Sequence, residues 1–112
     1  MKIKVKVAGK AAILSVEGRM DAESCGEFEA ACHKALAGGA VNIVADLKSL
    51  TYISSAGIGL FAKLARHLKD CQGEMVLASP HGLVRAVFEL TRVITIFRVF
   101  DSADAALAGL SQ

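Results

Sequence analysis

The hydrophobic period of this chain switches repeatedly between two and 3.6, and most of the switches fall at a glycine, a serine or a proline. Strand-like and helix-like segments that alternate on short links admit few folds, and this pattern constrains the chain more than any other feature. Ile3, Val5 and Val7 share one side of an extended segment and Lys2, Lys4 and Lys6 the other, which is a half-exposed strand. Gly9-Lys10 is a tight turn into a second strand, Ala11 to Glu17, and so short a connection makes the pair antiparallel. After Gly18 the period lengthens. Cys25, Phe28, Cys32, Ala35 and Leu36 follow helical spacing, with Asp21 as the expected N-cap and Gly38-Gly39 as the stop. Asp21, Glu23, Glu27 and Glu29 come early in this segment and His33 and Lys34 late, as the helix macrodipole prefers.

Val41 to Leu47 is a short apolar run, the mark of a buried parallel strand. A second helix is expected over Ser55 to Asp70, burying Phe61, Leu64, Ala65 and Leu68 and exposing Lys63, Arg66, His67 and Lys69. Gly73 closes it, and Glu74 to Ala78 is the next strand. Ser79-Pro80 has the form of an N-cap followed by a proline at the first helical position, and Leu83, Val87 and Leu90 follow at helical spacing. A last strand near Ile94 to Val99 leads to a helix from Ser102, with Leu107 and Leu110 inward. The order β-β-α-β-α-β-α-β-α predicts an α/β fold with a mixed, mostly parallel sheet of four or five strands and right-handed crossovers. A length of 112 residues fits one domain, 1–112.

Composition narrows the function classes. Hydrophobic residues make up 54% of the chain, which supplies a core and excludes disorder; five Phe, one Tyr and no Trp make that core largely aliphatic. A net charge of +2 is too small to imply nucleic acid or an anionic membrane as partner. No apolar run approaches the ~18 residues of a membrane span, and the alternating N-terminus is unlike a signal peptide, so a cytoplasmic location without membrane insertion is expected. Cys25, Cys32 and Cys71 are odd in number and form no C-x-x-C pair, which argues against a disulfide framework and for structural roles.

In parallel sheets the functional edge lies at the carboxyl ends of the strands. Gly18–Asp21, Thr51–Gly59 and Ser79–His81 should meet there. Ser54 and Ser55 stand at a helix start, followed by Gly57 and Gly59 inside its first turns. Each interior glycine costs about 0.5–1 kcal/mol relative to alanine, so the pair calls for a close approach, either of the helix to its own sheet or of another molecule to the helix. The serines have two available roles. One is the N-cap; the other is a phosphate acceptor, whose added charge the helix N-terminus would stabilise.

Other motifs are weaker. Gly57-Ile58-Gly59-Leu60-Phe61-Ala62 matches G-x-G-x-x-A, but the acid a dinucleotide site needs at the end of the next strand is absent, since Glu74 begins that strand. His67 and Cys71, four apart on one helix, lack a third metal ligand. His81 has no carboxylate placed to make it a base, and no nucleophile–base–orienter set can be assembled. No cofactor and no enzymatic activity are expected.

The run Asp46-Leu47-Lys48-Ser49-Leu50-Thr51-Tyr52-Ile53-Ser54-Ser55-Ala56-Gly57-Ile58-Gly59-Leu60 resembles the central motif of STAS domains, the family of bacterial anti-sigma factor antagonists. Gly18-Arg19-Met20-Asp21 is similar to the family's turn before the first helix, and Ser79-Pro80 with Leu83–Leu90 to its third helix. The resemblance implies βα units wound as a superhelix, and a mechanism of partner switching. An unmodified antagonist binds an anti-sigma factor that is also a serine kinase and so frees the sigma factor; phosphorylation releases the antagonist, and a cognate phosphatase resets it. By motif position the acceptor is Ser55, and Asp21, Ser54, Ser55, Ala56, Gly57, Ile58 and Gly59 fall on the partner-binding surface. Many members carry Asp directly before the acceptor and a hydroxyl residue directly after it; here those positions are Ser54 and Ala56. A second role implied by the same family is that of a non-catalytic subunit in an ABC-type lipid transport complex or another scaffold.

Overall fold

A computed structural model describes residues 1–111. The alternating N-terminal segment forms β1 (Lys2–Ala8), which turns at Gly9, with φ +60°, into β2 (Ala11–Met20) in antiparallel register, Lys2 opposite Glu17 and Ala8 opposite Ala11. The chain continues through α1 (Cys25–Ala37), β3 (Asn42–Asp46), β4 (Leu50–Ile53), α2 (Ser55–Asp70), β5 (Glu74–Ala78), α3 (Gly82–Leu90), a 3₁₀ turn over Val93–Ile96, β6 (Val99–Phe100) and α4 (Ala103–Leu110). The six strands form one sheet in the order β1-β2-β3-β5-β6, with β4 also paired to β2; every pairing except β1 with β2 is parallel. This is the mixed, mostly parallel α/β fold expected, with one strand more.

That strand is β4, a segment expected as loop. β2 is ten residues long and changes partner along its length. Its first half, Ala11–Ser15, pairs with β3; beyond Gly18 the register shifts, and Arg19 and Met20 pair with Tyr52 and Ile53 of β4. Gly18 makes the change possible, because its φ of +99° is one that only glycine adopts without strain. Thr51 Oγ1 donates a 2.9 Å hydrogen bond to the Gly18 carbonyl and secures the join.

The central strands are buried on both faces, as parallel strands between helix layers must be. Ala12, Leu14, Ile43, Ala45, Met75 and Leu77 face α1, α2 and α3, whereas Ile13, Val44, Val76 and Ala78 face α4. Leu107 and Leu110 of α4 pack on that second face, half-buried. Phe61 of α2 is the hub of the larger core. Its ring stacks on Phe28 of α1 at 5.0 Å and meets Phe88 of α3 edge-on at 5.4 Å and Phe97 at 6.3 Å. Aromatic pairs of this kind add about 0.5–1.5 kcal/mol beyond area burial.

Three local expectations are corrected. Ser79 is not the N-cap of α3: it has φ +56°, its hydroxyl donates to the Asp101 carbonyl at 2.8 Å, and the helix begins two residues after Pro80 with His81 at the cap. Val84 and Phe88 turn inward, and Leu83 and Leu90 are 59% and 84% exposed. The expected strand Ile94–Val99 is mostly the 3₁₀ turn, held by Thr95 Oγ1 on the Arg92 carbonyl at 2.7 Å, and only Val99 and Phe100 pair with β5. Cys71 lies exposed at the C-cap of α2 rather than packed, while Cys32 is buried and its thiol is pushed up to about 12, mainly by burial.

Phe61→Ala is expected to destabilise the domain by about 3–5 kcal/mol in urea unfolding, because it empties the centre of the aromatic cluster. A loss below about 1 kcal/mol would show that the hub is elsewhere. Gly57→Ala should cost about 1–3 kcal/mol, since its Cβ would stand 2.7 Å from Ile53 Cγ1, on a buried β-branched side chain with little room to move.

Candidate functional site

The site follows from where β2 and β4 end. Both strands run in the same direction and finish in register, Met20 beside Ile53, so the next residue of each chain segment enters a turn at the same point. Ser54 N–H donates to the Met20 carbonyl at 2.9 Å and ties the two turns together. Asp21 therefore leaves the sheet next to Ser54 and Ser55, as the sequence predicts.

Regular helix begins at Cys25, and the bonds of an N-cap are made one turn earlier by Asp21, whose carbonyl accepts from Cys25 N–H at 3.1 Å. Asp21 and Ser24 hold each other as a capping box does: Asp21 N–H donates to Ser24 Oγ at 3.0 Å and Ser24 N–H donates to Asp21 Oδ1 at 3.0 Å. Glu23 N–H donates to the same carboxylate oxygen at 3.1 Å. The Ser24 N–H, and then its hydroxyl, lower the Asp21 pKa below its ordinary value, with the Glu23 N–H and the Arg19 charge helping and burial opposing. A depressed carboxylate pKa contributes stability above the ordinary carboxylate range and loses it as the pH falls through the lowered value, so at neutral pH the turn is fully braced and Asp21 is charged. Ser24 was not singled out in the sequence; its signal is the i, i+3 spacing from Asp21.

The serine pair divides its tasks. Ser54 is the N-cap of α2, extended at φ −84° and ψ 169°, and its Oγ accepts from Gly57 N–H at 3.1 Å. Ser55 is the first residue of the helix, exposed, and takes no part in the cap. No acidic residue lies in the first turn of α2, whereas His67 and Lys69 lie in the last, so the helix supplies no counter-charge of its own to the positive end of its dipole. The glycines differ in the same way. Gly57 is buried against Ile53 and Met20, but a Cβ on Gly59 would meet nothing within 4 Å. Ala56 is exposed beside Ser55, and Ile58 turns into the core at 5% exposure.

Around this centre, Arg19 lies over the Tyr52 ring at 4.1 Å, a cation–π contact across the β2–β4 pair. The Cys25 thiol is pushed up by burial and then by the Asp21 charge, with the neighbouring Ser54 hydroxyl pulling the other way. His81 joins the same edge through its ring: Nε2 lies 2.7 Å from the Lys48 carbonyl, which can only accept, so Nε2 carries the proton. That contact reaches the start of β4 rather than the serine pair. Lys63, Arg66, His67 and Lys69 are exposed as expected, with Lys63 paired to Glu29 of α1 at 2.8 Å. Among the described residues no cluster of three or more His, Cys, Asp or Glu could hold a metal, and no helix is long and apolar enough to cross a membrane.

Comparison with known proteins agrees with this fold. The protein BtrV of Bordetella bronchiseptica, an anti-sigma factor antagonist by name, is 35% identical over 96 residues, covering 86% of this chain and 83% of BtrV. A Thermotoga maritima protein, TM1081, superposes with a TM-score of 0.90 at 21% identity, covering 98% of this chain and 95% of that one. The anti-sigma factor antagonist SpoIIAA, in its unphosphorylated form, gives 0.81 at 20% identity over 95% of this chain and 93% of its own; the phosphorylated form of SpoIIAA from Bacillus gives 0.75. At such identities the three solved structures speak for the fold alone. The STAS domain model matches residues 2–106, and the chain belongs to the STAS domain family.

Proposed function

We propose that this STAS domain is an anti-sigma factor antagonist that binds an anti-sigma factor serine kinase and is released from it by phosphorylation of Ser55. The reading rests above all on the division between the two serines. Capping engages the Ser54 hydroxyl and leaves that of Ser55 exposed at a helix N-terminus with no acidic residue in its first turn. A phosphate there adds a charge of about −1.5 to −2, which the helix end stabilises by about 0.3–1 kcal/mol, so the modified domain stays folded. The same phosphate stands next to the turn that holds the ionised Asp21. It adds like charge and a hydration shell to a surface that a partner must dehydrate, and binding weakens.

Asp21, Ser54, Ser55, Ala56 and Gly59 form the docking surface in this reading, with a phosphatase as the resetting partner and no catalytic group of the domain's own; Gly57 and Ile58, expected on that surface from the sequence, are buried and seat the helix from beneath. Gly59 fits that role, because nothing within the domain requires a glycine there. The names of the relatives favour a protein partner.

The test is phosphopeptide mapping after incubation with the cognate kinase and ATP, with binding measured on three variants. Phosphate should appear on Ser55; Ser55→Ala should bind constitutively, and Ser55→Asp should bind weakly while melting near the wild-type temperature. Phosphate on Ser54, or wild-type binding by Ser55→Asp, would overturn the switch. Gly59→Ala separates folding from docking: it should stabilise the free domain by about 0.5–1 kcal/mol and still weaken the kinase complex. Unchanged affinity would remove Gly59 from the interface.

A further inference from the structure

β1 is the outer strand of the sheet, and among the described residues no strand pairs with its free edge. Its apolar side continues the core face of β2, with Val5 beside Leu14 and Val7 beside Ala12, yet α1 covers that side only in part. Val5 is 52% exposed and Val7 70%. Between strand and helix lies a groove of about 620 Å³, floored by Ile3, Val5 and Val7 and walled by Ala31 and Ala35 of α1; Glu27 and Lys34 of the same helix also line it, one charge of each sign, so the groove itself is electrically balanced. A free ladder edge next to an open apolar groove is the geometry of strand addition, in which backbone hydrogen bonds give affinity and alternate side chains fill the groove.

Charge decides what fits. Lys2, Lys4 and Lys6 occupy the other face of the same strand, all exposed, and Lys10 follows at the hairpin turn. Among the described residues none of the four lies in an ion pair. A second copy of β1 is a poor occupant in either register. Side chains of like face would set lysine against lysine, and a one-residue slip would lay lysines over the groove. A strand that alternates acidic and apolar residues meets both faces at once, apolar side chains in the groove and carboxylates opposite the lysines. We propose that the β1 edge and its groove dock an extended acidic–apolar segment of a partner protein as a seventh strand. The groove runs from Glu27 toward Gly9 and Gly38–Ala40, at the end of the sheet away from the Ser54–Ser55 turn.

The probe is a seven-residue peptide of alternating glutamate and valine, titrated into the full-length ¹⁵N-labelled protein, with a lysine–valine peptide as control. The acidic peptide should shift the β1 and α1 groove amides saturably and slow hydrogen exchange along β1, and the basic one should not. Val5→Thr with Val7→Thr, both at exposed positions, should weaken binding roughly tenfold with the charges intact. Lys4→Glu with Lys6→Glu should reverse the preference between the two peptides, an outcome that a merely greasy patch would not give. Equal response to both peptides, no response to either, or β1 shifts that grow with protein concentration in the absence of peptide would each overturn the proposal, the last in favour of a second copy.

Discussion

The site depends on one backbone hydrogen bond, from Ser54 N–H to the Met20 carbonyl at 2.9 Å. It is the last rung of the β2–β4 ladder, and it holds the entrances of α1 and α2 at one point. Everything upstream serves that rung. Gly18 lets β2 leave β3 and take β4 as its partner, and Thr51 fixes the register at the changeover. Gly57 lets α2 settle onto Ile53 and Met20. A tilt of α2 would carry Ser55 away from Asp21 even with both residues unchanged.

Much of this was legible in the sequence, and the illegible parts share a cause. The helical spacing of Phe61, Leu64 and Leu68 is set by burial on one side, which periodicity records directly. Period two in Lys2–Val7 marks the strand as well, although Val5 and Val7 stay exposed on its apolar side. β4 has four residues, too few for a period to show, and its partner lies some thirty positions away in sequence. Asp21 makes the capping bonds its type promises, to the N–H groups of Glu23 and Ser24, whereas Ser79, as good a cap by type, gives its hydroxyl to the carbonyl of Asp101, 22 residues away. Residue type states what a side chain can bond; only the fold states what is within reach. Leu83, Val87 and Leu90 share one helical stripe, but α3 packs along Val84 and Phe88 and leaves both leucines exposed.

Two pairs of like residues carry the functional reading, and in each pair the fold accounts for one member. Capping accounts for Ser54 and close packing accounts for Gly57. Ser55 and Gly59 stand one turn apart on the exposed side of α2 with no internal task that requires them. Phosphorylation and docking at this turn are inferred from what the fold leaves over, not from any departure from its rules.

The three cysteines end up in three different environments, and this has a practical consequence. Cys32 is sealed in the core with its thiol pushed up to about 12, and Cys25 is half-buried with its thiol also held above the ordinary value. Cys71 alone is exposed, at the end of α2 opposite Ser55. Sixteen residues of helix separate the two ends, a span of about 24 Å at 1.5 Å per residue. The native chain thus carries its own attachment point for a maleimide fluorophore or a surface tether, coupled to the candidate docking face through one helix and a helix length away from it.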